Sequence, residues 1–216
     1  MRVYPGVDPG RFRPGPKDPD LVKTYSLGGK RVVLTVARLD QRKGHDVVIR
    51  GLTILRDSHP DLVYLVVGRG REEPRLKALA DACGVAERVR FAGFVPDADL
   101  PAIYNLCDIF AMPNRVTEGT ALAGDIEGFG ISFVEAGACG KPVVAGRSGG
   151  AVEAVRDGET GLLVDPHSDE AVATAGPSRT YSRDSDSGDR TTFHFCPTCG
   201  STVFWDPLAR PGITCV

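Results

Sequence analysis

Two glutamates eight residues apart, Glu127 and Glu135, bound the stretch Glu-Gly-Phe-Gly-Ile-Ser-Phe-Val-Glu, and Ala-Gly-Ala-Cys-Gly-Lys-Pro-Val-Val-Ala follows it. Glu127 precedes a glycine turn made of Gly128, Phe129 and Gly130, and Glu135 lies inside a short helical pattern that ends at Gly140. A helix opening at Gly-Phe-Gly turns backbone N–H groups and the positive end of its dipole toward an anion. Glu135, about a turn and a half further in, can face the same cleft and accept hydrogen bonds from vicinal hydroxyls. Phosphate donors beside a hydroxyl acceptor point to a nucleotide sugar. Taken alone, the pattern fits equally well an exposed loop glutamate followed by a helix-surface one.

A second group of charges stands at the end of an apolar strand, in Val36-Ala37-Arg38-Leu39-Asp40-Gln41-Arg42-Lys43-Gly44. Arg38 and Lys43 in that position can clamp a diphosphate, the arginine through its planar fork and the lysine as a point charge. Preorganised cations favour a departing diphosphate, on which negative charge develops. A solvated basic loop is the plainer reading of these residues in isolation, and Arg42 is assigned to solvent. His45, His59 and His167 lack partners at catalytic spacing and are expected at the surface or as caps. Tyr104 is assigned to the core, Asp99 to the N-cap of a helix over 100–106, and Gly149-Gly150 to a close helix–strand approach.

The elements that must position these groups alternate regularly. Strands are predicted over 31–37, 62–67, 89–92, 109–112, 141–145 and 161–165, and helices over 46–56, 73–82, 100–106, 151–156 and the Glu135 segment. Continuous apolar strands separated by helices predict an α/β, doubly wound parallel sheet of Rossmann type, which binds ligands at the carboxyl ends of its strands. Residues 1–30, rich in Pro, Gly and Asp, read as an extended lead-in. Residues 31–175 read as the nucleotide-binding domain, and the pattern breaks near Gly176 into a polar, then aromatic and β-rich appendage over 176–216.

A chain of 216 residues suffices for one core, or one domain with an appendage. A net charge of −2 gives no electrostatic reason to expect nucleic acid or an anionic membrane. No apolar run approaches the ~20 residues that span a bilayer, and the N-terminus has no apolar signal core. The six cysteines do not form a secreted framework; Cys83, Cys107 and Cys139 are expected as small core residues, and the compartment as a reducing cytoplasm.

The run from Phe129 to Gly150 resembles the C-terminal half of retaining GT-B glycosyltransferases, specifically the family that includes bacterial phosphatidylinositol mannosyltransferases. Pro5-Gly-Val-Asp-Pro-Gly resembles that family's lead from its N-terminal into its C-terminal domain, so the resemblance covers residues 3–174. It implies that Glu127 lies by the transferred sugar and that Glu135 holds the ribose hydroxyls. Arg38 and Lys43 would neutralise the leaving diphosphate, with Gly128, Phe129 and Gly130 beside it, and the backbone around Val95 would lie against the base. It further implies hexose transfer, mannose-like through Pro113-Asn-Arg and Asp-Ile-Glu-Gly-Phe-Gly, from a GDP- or UDP-sugar to a lipid or glycan acceptor, with no metal required. Membrane contact would be peripheral, at the inner face. The acceptor-binding domain of that family is not matched, so the chain alone is expected to bind nucleotide but transfer little.

The tail carries Cys196-Pro-Thr-Cys199-Gly, half of a zinc knuckle. With Arg179-Thr-Tyr-Ser and Thr-Val-Phe-Trp-Asp, residues 177–216 resemble the final third of glutathione-dependent formaldehyde-activating enzymes. That resemblance makes Cys196 and Cys199 half of a structural zinc site. It leaves two alternatives to the transferase reading: a zinc-binding carbon–sulfur lyase-like module, or a non-catalytic chimeric nucleotide-binding fragment.

Overall fold

The computed structural model describes residues 5–117 and 126–173, together with the backbone of three strands between residues 179 and 207. The apolar runs become six parallel strands: β1 (Arg31–Val36), β2 (Leu62–Val67), β3 (Val89–Gly93), β4 (Ile109–Met112), β5 (Val143–Gly146) and β6 (Leu162–Val164). They lie in the order β3-β2-β1-β4-β5-β6. All six residues of β2 are buried, as a strand covered on both faces requires.

Successive strand residues point to opposite faces, which splits the core in two. On one face Val32, Leu34, Val63, Leu65, Phe110 and Met112 pack under α1 (Pro19–Thr24), α4 (Leu100–Leu106), α5 (Ile131–Ala138) and α6 (Ala151–Ala154). On the other, Val33, Tyr64, Val66 and Ala111 pack under α2 (His45–Ile54), α3 (Glu73–Ala82) and α7 (Asp169–Ala173). From β1 the chain steps outward to β2 and β3, then returns to lay β4 on β1's other side. The carboxyl ends of β1 and β4 therefore flank the point where strand order reverses, where open α/β sheets hold ligands.

Two local expectations need correction. The lead-in is not extended throughout: α1 starts at Pro19, and Asp18 caps it by accepting from the N–H groups of Asp20 (2.8 Å) and Leu21 (3.1 Å). Asp-Pro is a helix-start signal that the Pro/Gly-rich composition concealed. Asp99 does not cap α4. It sits in a 3-10 turn, Asp97–Asp99, with φ −93° and ψ −11°, whereas a capping side chain needs an extended backbone to reach the following N–H groups.

The appendage changes pairing mode. Strands β7 (Arg179–Asp184), β8 (Arg190–Phe195) and β9 (Thr202–Pro207) form an antiparallel three-stranded sheet in that order. Cys196, Cys199 and the boundary at Gly176 lie outside the described residues. Among the described residues no group of three or more His, Cys, Asp or Glu is gathered to hold a metal. No helix there is long and apolar enough to cross a membrane.

Candidate functional site

The segment leaving β4, Pro113-Asn114-Arg115, is the hub from which the site is built. Gly44, with φ +73°, ends the turn Gln41–Lys43 and opens α2 directly against it; a Cβ there would lie 2.1 Å from the Pro113 carbonyl oxygen. The Arg115 N–H donates to the Arg42 carbonyl (2.8 Å). The Arg115 guanidinium meets both oxygens of Asp46, at 2.9 and 3.0 Å, with both side chains buried. Burial alone would raise the Asp46 pKa, but the hydrogen bond and charge of Arg115 outweigh it and hold it below the ordinary value. Arg50 joins Asp46 (3.3 Å) to Asp169 (2.8 Å) and so extends the ionic chain to α7.

Asn114, fully buried, holds the other side of the hub. Its side-chain amide donates to the Ser148 carbonyl (2.9 Å) and accepts from the Gly146 N–H (3.2 Å), which fixes the exit of β5. That exit in turn supports the Glu127 loop, because the Gly150 N–H donates to the Glu127 carbonyl (2.7 Å). A Cβ at Gly150 would fall 1.9 Å from the Gly128 carbonyl oxygen. The glycine pair therefore serves a loop–loop contact and not the helix–strand approach expected.

These supports bring Lys43 and Glu127 together. The lysine Nζ forms a close, buried ion pair with Glu127 Oε2, and Arg42 Nη1 reaches the same oxygen at 2.9 Å. Burial lowers the Lys43 pKa, with the bond to Glu127 acting against it and the charges of Arg42 and Arg38 adding to the depression. Arg42 is thus no solvated bystander: its side chain is only 11% exposed. Two adjacent basic residues in a tight turn can both swing to one carboxylate, which spacing alone does not reveal. Arg38 stays at the rim, 71% exposed and 3.3 Å from Asp40.

His45 is also corrected. It is buried, with Nδ1 2.8 Å from the Tyr64 hydroxyl and Nε2 3.3 Å from the Arg38 carbonyl. That carbonyl can only accept, so Nε2 donates and Nδ1 accepts from Tyr64. Burial pushes the imidazole pKa down to about 4, keeping it neutral at pH 7. His59 and His167 lie near the surface as expected, with His59 2.8 Å from Ser58.

Glu135 stands in the second turn of α5, half-buried, and accepts a 2.6 Å hydrogen bond on Oε2 from the Tyr104 hydroxyl. Tyr104 is core, as expected, but its hydroxyl reaches the site. Burial and the neighbouring Glu135 charge raise its pKa well above the ordinary phenol value. The ring is set in an aromatic ladder, Phe12–Tyr104–Phe110–Phe133, with centroids 5.8–5.9 Å apart. Gly130 forms the N-cap of α5 and so puts the helix's positive end beside Gly128 and Phe129. Val95 follows β3, half-buried against the core, next to the exposed Phe94. Arg42, Asp46, Arg115 and Tyr104 escaped sequence reasoning; for Arg115 and Asp46, their places at a strand's exit and a helix's first turn were the usable signal.

A Rossmann-like half with paired cations at the β1 exit and two glutamates around α5 defines the class. The chain belongs to the family described as glycosyl transferases group 1, whose family model matches residues 18–175. It is 47% identical over 175 residues to the GDP-mannose-dependent alpha-(1-6)-phosphatidylinositol monomannoside mannosyltransferase of Mycolicibacterium smegmatis, covering 79% of this chain and 44% of that protein. It is 40% identical over 163 residues to the GDP-mannose-dependent monoacylated alpha-(1-6)-phosphatidylinositol monomannoside mannosyltransferase of Corynebacterium glutamicum, covering 74% of this chain and 41% of the relative. The chain thus spans less than half the length of these curated relatives. Among solved structures, Anabaena Alr3699/HepE in complex with UDP and glucose aligns with a TM-score of 0.68 and 30% identity, over 79% of this chain and 44% of the other. The C-terminal domain of a glycosyl transferase group 1 family protein (LpcC) from Francisella tularensis shares the fold, with a TM-score of 0.63 and 24% identity, over 78% of this chain and 84% of that one.

Proposed function

We propose that residues 31–175 form the donor-binding half of a retaining hexosyltransferase that moves a mannose-like sugar from a nucleoside diphosphate to a lipid or glycan acceptor. The observation that carries this reading is the buried Lys43–Glu127 pair at the strand-order switch, with Arg38 open at its rim. In it, the donor diphosphate lies across Arg38 and Lys43 and the first turn of α5, while Glu127 contacts the sugar. Glu135 accepts from the ribose hydroxyls, and the base lies along the backbone at Val95. As the bond from the sugar's anomeric carbon to the diphosphate oxygen breaks, charge develops on that oxygen, and the two cations stabilise it. The mannosyltransferase relatives favour GDP as the nucleotide, whereas the structure with UDP and glucose keeps UDP in play. The same relatives, named for work on phosphatidylinositol mannosides, make a peripheral position at a membrane face the natural setting.

Transfer needs donor and acceptor in one water-poor cleft. The 216-residue chain by itself is therefore expected to bind nucleotide and transfer little. Calorimetric titration with GDP and with UDP, repeated on Glu135→Ala and Lys43→Ala, tests the site. Weaker binding in both variants supports the assignment, and unchanged affinity in both rejects it.

A further inference from the structure

We propose that Tyr104 is a positioning residue that aims Glu135 at the ribose of the donor and so makes the site selective for nucleotides with free 2′ and 3′ hydroxyls. This rests on the reading of Glu135 as the ribose anchor. The ring of Tyr104 is fully buried between Phe12 and Phe110, a place that a phenylalanine would fill as well. What the tyrosine adds is a hydroxyl carried on a rigid frame, and that hydroxyl donates at 2.6 Å to Oε2 of Glu135.

A glutamate on a helix surface samples several rotamers, and ordering it costs free energy. A donor fixed by the core meets much of that cost before any nucleotide arrives, which is preorganisation. An ionised carboxylate offers about four lone-pair sites across its two oxygens. Tyr104 occupies one of them and sets the orientation of the rest, leaving Oε1 and the remaining site on Oε2 for a vicinal diol. Because burial and the Glu135 charge hold the phenol protonated, Tyr104 donates and does not compete as a second anion.

The test compares the tighter-binding of GDP and UDP with its 2′,3′-dideoxy form, by calorimetry on the full 216-residue chain. Tyr104→Phe is expected to weaken the ribonucleotide about tenfold, the scale of one hydrogen bond to a charged group, while leaving the dideoxy form unchanged. In a Glu135→Ala background the same substitution should change nothing further. Equal weakening of both nucleotides, or an undiminished preference for the ribose form, would overturn the proposal and leave Tyr104 as a core anchor only. A preference that survives Glu135→Ala itself would instead reject the ribose-anchor reading and the proposal together. Should Tyr104→Phe fail to fold, a crystal structure of the nucleotide-free chain decides: Glu135 held in one rotamer on the Tyr104 hydroxyl supports the proposal, and Glu135 spread over several rotamers away from it refutes it.

Discussion

The two glutamates sit at opposite ends of one short segment, yet the protein holds them by different physics. Glu127 is buried in an ionic lattice: Lys43 and Arg42 on one oxygen, with Arg115 and Asp46 bracing the turn that carries them. Glu135 is half-buried and meets the neutral Tyr104 hydroxyl, which is mounted on an aromatic ladder. The first arrangement neutralises charge; the second directs a carboxylate without neutralising it. The former fixes Glu127 among its cations, and the latter leaves the Glu135 carboxylate able to accept further hydrogen bonds.

The difference is sharpest in stability. Glu127→Ala strands a buried lysine and should cost about 3 kcal/mol in urea unfolding, since breaking a buried pair leaves its partner uncompensated. Adding Lys43→Met should recover part of that loss; no recovery would show that the pair is not the cause. Close behind comes pH. His45 has its pKa depressed to about 4 by burial, against about 6.5 in an unfolded chain, so the folded state binds fewer protons. Its contribution is complete above pH 6.5 and lost as pH falls toward 4, roughly 3 kcal/mol over that window. His45→Gln should flatten this part of the stability–pH curve.

Asp46→Asn should cost about 2 kcal/mol by loosening Arg115, with little dependence on salt because the pair is buried. Glu135→Ala, by contrast, should cost only about 1 kcal/mol, the net worth of its hydrogen bond from Tyr104, while reducing nucleotide affinity. A stability loss there as large as at Glu127 would erase the comparison. Arg38→Ala should be quieter still in stability, since its pair with Asp40 is exposed, and should show itself as weaker nucleotide binding with a shallower salt dependence.

The strands were legible because sheet residues covered on both faces must be apolar throughout, as Leu62–Val67 shows. The Glu127 and Glu135 positions were legible because a glycine turn and a short helix limit where those side chains can go. Arg42, Tyr104 and His45 were not. Each looks ordinary by type: a loop cation, a core aromatic, a helix-start histidine. Their roles come from partners distant in sequence, such as Glu127 for Arg42 and Tyr64 for His45, and no local period encodes such meetings.

The tripeptide leaving β4 has a consequence of its own. Asn114 grips the loop after β5, and Arg115 grips the turn before α2, so both sides of the site take their coordinates from three consecutive residues. The loops' outward side chains can then be exchanged while their spacing stays put. An engineer transplanting this candidate site would carry over Pro113-Asn-Arg first and the glutamates second, as a mason sets the keystone's seat before choosing the facing.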